Sequence, residues 1–117
     1  MSIDRETAGA YVLQAHLQLD EGVDPASIGA AVTVELCGHW EHEGKCRWPH
    51  NSDIHEDGSR FVFRTLWIST PADSVEVQTR ITRALTGIQH AAATDMRRRP
   101  VAAGEEALAE RLSQSLS

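Results

Sequence analysis

The sequence lacks a long apolar run and also lacks a surplus of basic residues. No segment approaches the roughly 18 apolar residues that a membrane-spanning helix needs, so no transmembrane span is predicted. The first six residues have neither the basic start nor the apolar stretch of a secretory signal, which favours a cytoplasmic protein. Lys and Arg number 11 against 17 Asp and Glu, for a net charge of −6. Because phosphate backbones are held by surplus cations, nucleic acid is not expected as a partner.

Cysteine is also scarce, since the chain contains only Cys37 and Cys46. In a reducing cytoplasm such cysteines are expected as free thiols or metal ligands before they are expected as a disulfide. The 117 residues, of which 41% are hydrophobic and 24% charged, fit one globular domain. The protein should therefore have an ordinary core, and any metal ion would act locally.

Two segments, residues 11–20 and 31–39, alternate side chains between two faces, a pattern typical of half-buried strands. A third segment, residues 61–69, is rich in aromatic and β-branched residues, which favour strands. Together they predict a three-stranded, or slightly larger, antiparallel sheet. Residues 40–60 form the connection between the second and third segments. Connections of this length without structure of their own are usually functional or disordered.

The C-terminal half of the chain shows apolar residues at helical spacing. One stripe runs from Val77 to Ile88, and a second contains Leu108, Leu112 and Leu116. The prediction is an α+β protein with two C-terminal helices on one face of the sheet. Residues 97–99, an Arg run before a proline, are expected to be solvated. Residues 1–99 are predicted as the domain, with a metal-binding loop at 37–55, and residues 100–117 as a helix that packs on the domain or on a dimer partner.

Most candidate metal ligands lie in the segment 37–55, which holds both cysteines and four of the six histidines. Thiolate and imidazole are the ligands that zinc prefers, and a tetrahedral shell needs four of them. A shell of two thiolates and two imidazoles has no net charge, which suits a partly buried site. The favoured ligands are Cys37, His39, Cys46 and His50, with His42 and His55 as alternates; iron, nickel and copper are alternatives to zinc.

The spacing of these residues supports a shared ion. Cys37 and His39, two apart on a strand, would project from the same face. Cys46 and His50, four apart, would converge through a turn. The motif is not that of a zinc finger, because the order of Cys and His pairs differs.

Three functions are compatible with such a loop. The first is an interaction or regulatory module, in which a structural zinc ion holds the loop rigid for a protein partner. The second is a small metal-dependent enzyme with an open coordination position near Trp40 and Trp48. The third is a sensor of a ligand or a metal, dimeric through the C-terminal helix. If no metal binds, the histidines are simply solvated and both tryptophans pack on the core. No substrate follows from the sequence.

Overall fold

The computed structural model describes residues 8–37 and 48–114. In chain order its elements are β1 (Gly9–Leu19), α1 (Ala26–Cys37), β2 (His50–Asp57), β3 (Arg60–Ser69), α2 (Pro71–Thr86), β4 (Ala91–Arg99), a 3-10 turn (Ala103–Glu105) and α3 (Glu106–Ser113). The strands form one antiparallel sheet in the order β2-β3-β1-β4. A β-α-β-β-α-β chain with this order is the split β-α-β arrangement of ferredoxin-like folds.

The two faces of the sheet are covered by different helices. The main core lies between the sheet and both α1 and α2, and it includes Leu17, Phe63 and Trp67. On the opposite face a smaller apolar cluster of the sheet packs against Leu108 and Leu112 of α3. The predicted α+β class and antiparallel sheet are confirmed. However, the sheet has four strands in the described residues, so the three-stranded form of the prediction is not confirmed, and the helices lie on both faces rather than on one.

The strand predicted over residues 31–39 is wrong, because its described part belongs to α1. Ile28, Val32 and Leu36 recur every four residues and are at most 2% exposed, as the buried face of a helix requires. Val34, which a strand would place beside them, is 41% exposed. The β-branched valines favoured the strand interpretation locally, and tertiary packing overrides that preference.

Both strands missing from the prediction are edge strands of the sheet. β2 lies inside the predicted long connection, and β4 includes the Arg run that was predicted to be solvated. In β4 the guanidinium of Arg98 lies 4.8 Å from the ring centre of Tyr11 and 5.1 Å from that of Trp67. The run is therefore part of a strand, while Arg97 and Arg98 remain exposed to solvent, as predicted.

A cluster of charges attaches α3 to the sheet. Arg99 donates two hydrogen bonds to the carboxylate of Glu105, at 2.7 and 3.0 Å, and Arg64 Nε lies 3.1 Å from the same carboxylate. The hydrogen bonds from Arg99, helped by the Ala102 backbone N–H and the charge of Arg64, lower the pKa of Glu105 to about 2. The carboxylate is thus held charged between β3, β4 and the start of α3.

The helices that precede β2 and β4 begin at side-chain caps. Asp24 Oδ1 accepts a hydrogen bond from the backbone N–H of Ala26 at the start of α1. Thr70 Oγ1 accepts one from the backbone N–H of Asp73 in the first turn of α2, and Pro71 occupies the helix start that suits its fixed φ. None of the helices in the described residues is both long and apolar enough to cross a membrane.

Candidate metal centre

The residues of the predicted ligand set lie where α1 ends and β2 begins. Cys37 is the last residue of α1, and His50 is the first residue of β2. His39, His42 and Cys46, as well as Trp40, lie outside the described residues. Of the four favoured ligands, Cys37 and His50 can therefore be located.

His50 reaches the same face of α1 that carries Cys37. One of its ring nitrogens, Nε2, lies 3.3 Å from Thr33 Oγ1. Thr33 and Cys37 are four residues apart in α1, and side chains at this spacing are neighbours on one helix face. The imidazole of His50 is therefore placed one helical turn from Cys37.

The other ring nitrogen fixes the tautomer of His50. Nδ1 lies 3.1 Å from the backbone carbonyl oxygen of Trp48, and a carbonyl can only accept. Nδ1 therefore carries the proton, and Nε2 of the neutral ring accepts a hydrogen bond from the hydroxyl of Thr33. Metal-binding histidines usually donate their second nitrogen to a carbonyl or carboxylate in this way. An ion on Nε2 of His50 would have to replace the hydroxyl of Thr33 at the same lone pair.

Cys37 is disulfide-bonded, so the prediction of reduced cysteines does not hold for this residue. The sequence contains one other cysteine, Cys46, which lies outside the described residues. A sulfur in a disulfide has no thiolate charge, and the thiolate is the form that binds metal. Cys37 can therefore act as a ligand only after reduction.

Trp48 packs in the core at this corner of the molecule. It is 0% exposed and belongs to the main core, the position expected for it if no metal binds. Its indole N–H donates to Asp73 Oδ2 at 3.2 Å, and the guanidinium of Arg80 lies 5.0 Å from its ring centre. Arg80 also donates to the backbone carbonyl of Glu35 at 3.4 Å. These contacts join β2 to both helices beside His50.

The alternate ligand His55 is not part of this corner. It is paired with Val62, whereas His50 is paired with Trp67. Successive side chains of a strand point to opposite faces, so residues five apart lie on opposite sides of the sheet. His55 projects from the face that carries α3, away from Cys37 and His50.

Two contributors to this corner, Thr33 and Asp73, are missing from the sequence prediction. Thr33 could have been found by treating residues 26–37 as a helix, because it then lies one turn before Cys37. In the ranges 8–37 and 48–114, no group of three His, Cys, Asp or Glu side chains is placed to hold a metal ion. A complete shell would therefore need ligands from outside these ranges, such as the predicted His39 and Cys46. No protein-family model matches the chain, and no match to a curated protein was found.

Proposed function

We propose that the reduced chain binds one zinc ion at the corner between α1 and β2. Cys37 and His50 are the described ligands, and His39 and Cys46 complete the shell from the connecting segment. The observation that carries the proposal is the contact of His50 with α1: its Nδ1 proton is donated to Trp48 while Nε2 faces the helix one turn from Cys37.

The disulfide of Cys37 is compatible with this proposal. Two sulfurs that can form a disulfide in the folded chain are close enough, once reduced, to bind the same ion, and Cys46 is the one other cysteine available. Reduction by a small thiol converts the disulfide to two thiols and leaves the reductant as its own disulfide. Thiols stay reduced in the cytoplasm, so the proposal places the zinc-bound form in such a compartment.

A structural role for the ion fits this corner better than a catalytic one. Catalytic zinc keeps one position open to water or substrate, and the predicted open position lay near Trp40 and Trp48. Trp48 is fully buried and has Arg80 over its ring, so it does not line an opening. Two thiolates and two imidazoles make a closed, neutral shell. We therefore infer an interaction or regulatory module whose ion fixes the segment 38–47 for a protein partner or a second copy of the chain.

Cobalt provides a test that reports the thiolates directly. Co²⁺ added to the reduced, full-length protein should produce thiolate-to-metal charge-transfer absorption, and zinc should displace it. The same titration of the oxidised protein, and of a Cys46→Ser variant under reducing conditions, should give no such absorption. His90→Ala serves as a control, because His90 is 70% exposed and contacts Asp20 far from this corner. Equal absorption from the wild type and the Cys46 variant would refute the assignment.

A further inference from the structure

A second pair of histidines lies on the face of the sheet opposite the zinc corner. His16 of β1 and His55 of β2 are each paired in register with Val62 of β3. The three residues therefore form one row across the sheet, with Val62 in the middle. Adjacent strand positions are about 5 Å apart, so the two histidine Cα atoms are separated by about 10 Å. Imidazole is longer than the valine side chain, and both rings extend beyond it.

Each of these histidines has an aspartate beside Nδ1. His16 Nδ1 lies 3.2 Å from Asp95 Oδ2, and His55 Nδ1 lies 3.5 Å from Asp53 Oδ2. The hydrogen bond to Asp95 fixes the proton of His16 on Nδ1 and leaves Nε2 as the lone-pair donor, as in many metal sites. The contact of His55 with Asp53 is wider and is not a hydrogen bond, so it does not fix the tautomer of His55. For both rings, no hydrogen-bond partner of Nε2 is found among the described residues.

The hydrogen bond with Asp95 holds Nδ1 of His16 on the side of β4. Asp95 belongs to β4, on the other side of β1 from β3. Because the two nitrogens of an imidazole point in roughly opposite directions, Nε2 of His16 is turned away from Asp95. A register shift between β1 and β4 lies at this point, and Asp95 has φ 52°. Such bulges redirect a side chain, and Asp tolerates a left-handed conformation better than most residues.

Both carboxylates and guanidiniums lie beside this row. Asp95 lies next to His16 and Asp53 next to His55, while the guanidinium of Arg60 lies 3.9 Å from Asp95. Arg64, in the next row, shares the carboxylate of Glu105 with Arg99. α3 covers the sheet around Val12 and Leu66. These residues lie four positions from His16 and Val62 on the same strands. The side chain of His55 remains 62% exposed.

We propose that His16 and His55 bind a divalent transition-metal ion through their Nε2 atoms, across Val62, with water completing the coordination. Imidazole ligands of this kind suit zinc, copper and nickel. This site is independent of the thiolates of Cys37 and Cys46, because it lies on the other face of the sheet. A negative result at one of the two sites therefore does not refute the other.

The test uses the oxidised full-length protein, in which the thiolate site is not available. Titration with Zn²⁺ in a non-coordinating buffer should show a site whose affinity falls by at least about tenfold in His16→Asn and in His55→Asn. Asp95→Asn, which keeps the left-handed backbone accessible, should weaken binding by about tenfold to a hundredfold, the usual effect of losing the carboxylate behind a ligand. His50→Asn and His90→Asn should retain this site.

His90 is a matched control, since it also has an aspartate, Asp20, 3.3 Å from Nδ1 but has no second histidine in register. Ring-nitrogen NMR spectra provide a readout that a general loss of stability would not reproduce: Zn²⁺ should shift the Nε2 signals of His16 and His55 together. If zinc affinity is the same in wild type, His16→Asn and His55→Asn, or if neither Nε2 signal shifts, the proposal is wrong.

Discussion

His50 and His55 belong to the same strand and project from opposite faces of the sheet. His50 contacts Thr33 of α1 at 3.3 Å. His55 is paired with Val62 and projects from the other face, where its side chain is 62% exposed. The five-residue spacing makes this separation unavoidable in a regular strand. Of the six Cys and His residues that are close in sequence, the three described ones, Cys37, His50 and His55, are therefore divided by the sheet and cannot all serve one ion.

This separation predicts different effects for two matched substitutions. His50→Ala should reduce cobalt binding by the reduced protein and change its charge-transfer spectrum, because one ligand is lost from the thiolate shell. His55→Ala should leave that spectrum unchanged. Absorption titrations of both variants, with circular dichroism to establish that each is folded, provide the measurement. A loss of the thiolate spectrum in the His55 variant alone would contradict the placement of His50 in the shell.

The attachment of α3 should make stability depend on pH through Glu105. The pKa of Glu105 is lowered from 4.5 to about 2 in the folded protein, so its contribution is complete above about pH 5. That contribution is lost as the pH falls toward 2, because the unfolded chain then binds the proton more readily. After allowance for solvent screening, the expected loss is about 1–2 kcal/mol. Urea unfolding at pH 3 and pH 6 should show this difference in the wild type and a smaller one in Glu105→Gln.

The apolar contact of α3 can be tested separately from its charges. Leu108→Ala should lower the free energy of unfolding by about 1–2 kcal/mol, since the side chain is only partly buried against Val12 and Leu66. The amides of α3 should then exchange faster than those of α2. Uniform acceleration of exchange across the whole chain would indicate that α3 is not a separable element.

Trp48 should stabilise the corner both by packing and by its hydrogen bond to Asp73. Trp48→Phe removes the indole N–H and part of a fully buried ring, with an expected cost of about 1–3 kcal/mol. Asp73→Asn keeps an oxygen acceptor for the indole and should cost less. Thermal unfolding of the two variants checks this order of stability. If Asp73→Asn loses as much stability as Trp48→Phe, or more, the main effect comes from the negative charge at the start of α2.

The central strands could be predicted from the sequence because both of their faces are buried in part. β1 alternates between two faces, β3 is rich in aromatic and β-branched residues, and Phe63, Thr65 and Trp67 are buried on one face. α2 could be predicted because Val77, Ile81 and Leu85 form a single buried stripe. In these elements local periodicity and tertiary packing agree.

The edge strands could not be predicted, because they bury little apolar surface. Most residues of β2 are polar, with Ile54 as its one large aliphatic side chain, and β4 begins with three alanines. Their pairing depends on the backbone of β3 and β1 rather than on their own side chains. The candidate site could be predicted only in part, because residues 31–39 were predicted as a strand. A strand places Cys37 and His39 on one face, whereas the observed helix places Cys37 one turn from Thr33, which His50 contacts.

The most direct test is the zinc content of the untagged, full-length protein before and after reduction. The proposal predicts one thiol-dependent zinc ion per chain in the reduced form, displaced when the disulfide of Cys37 forms. Chelation should lower the melting temperature while the sheet and helices persist. Reduced protein that binds no zinc through its thiols, with Cys37 and Cys46 freely reactive in the presence of the metal, would contradict it.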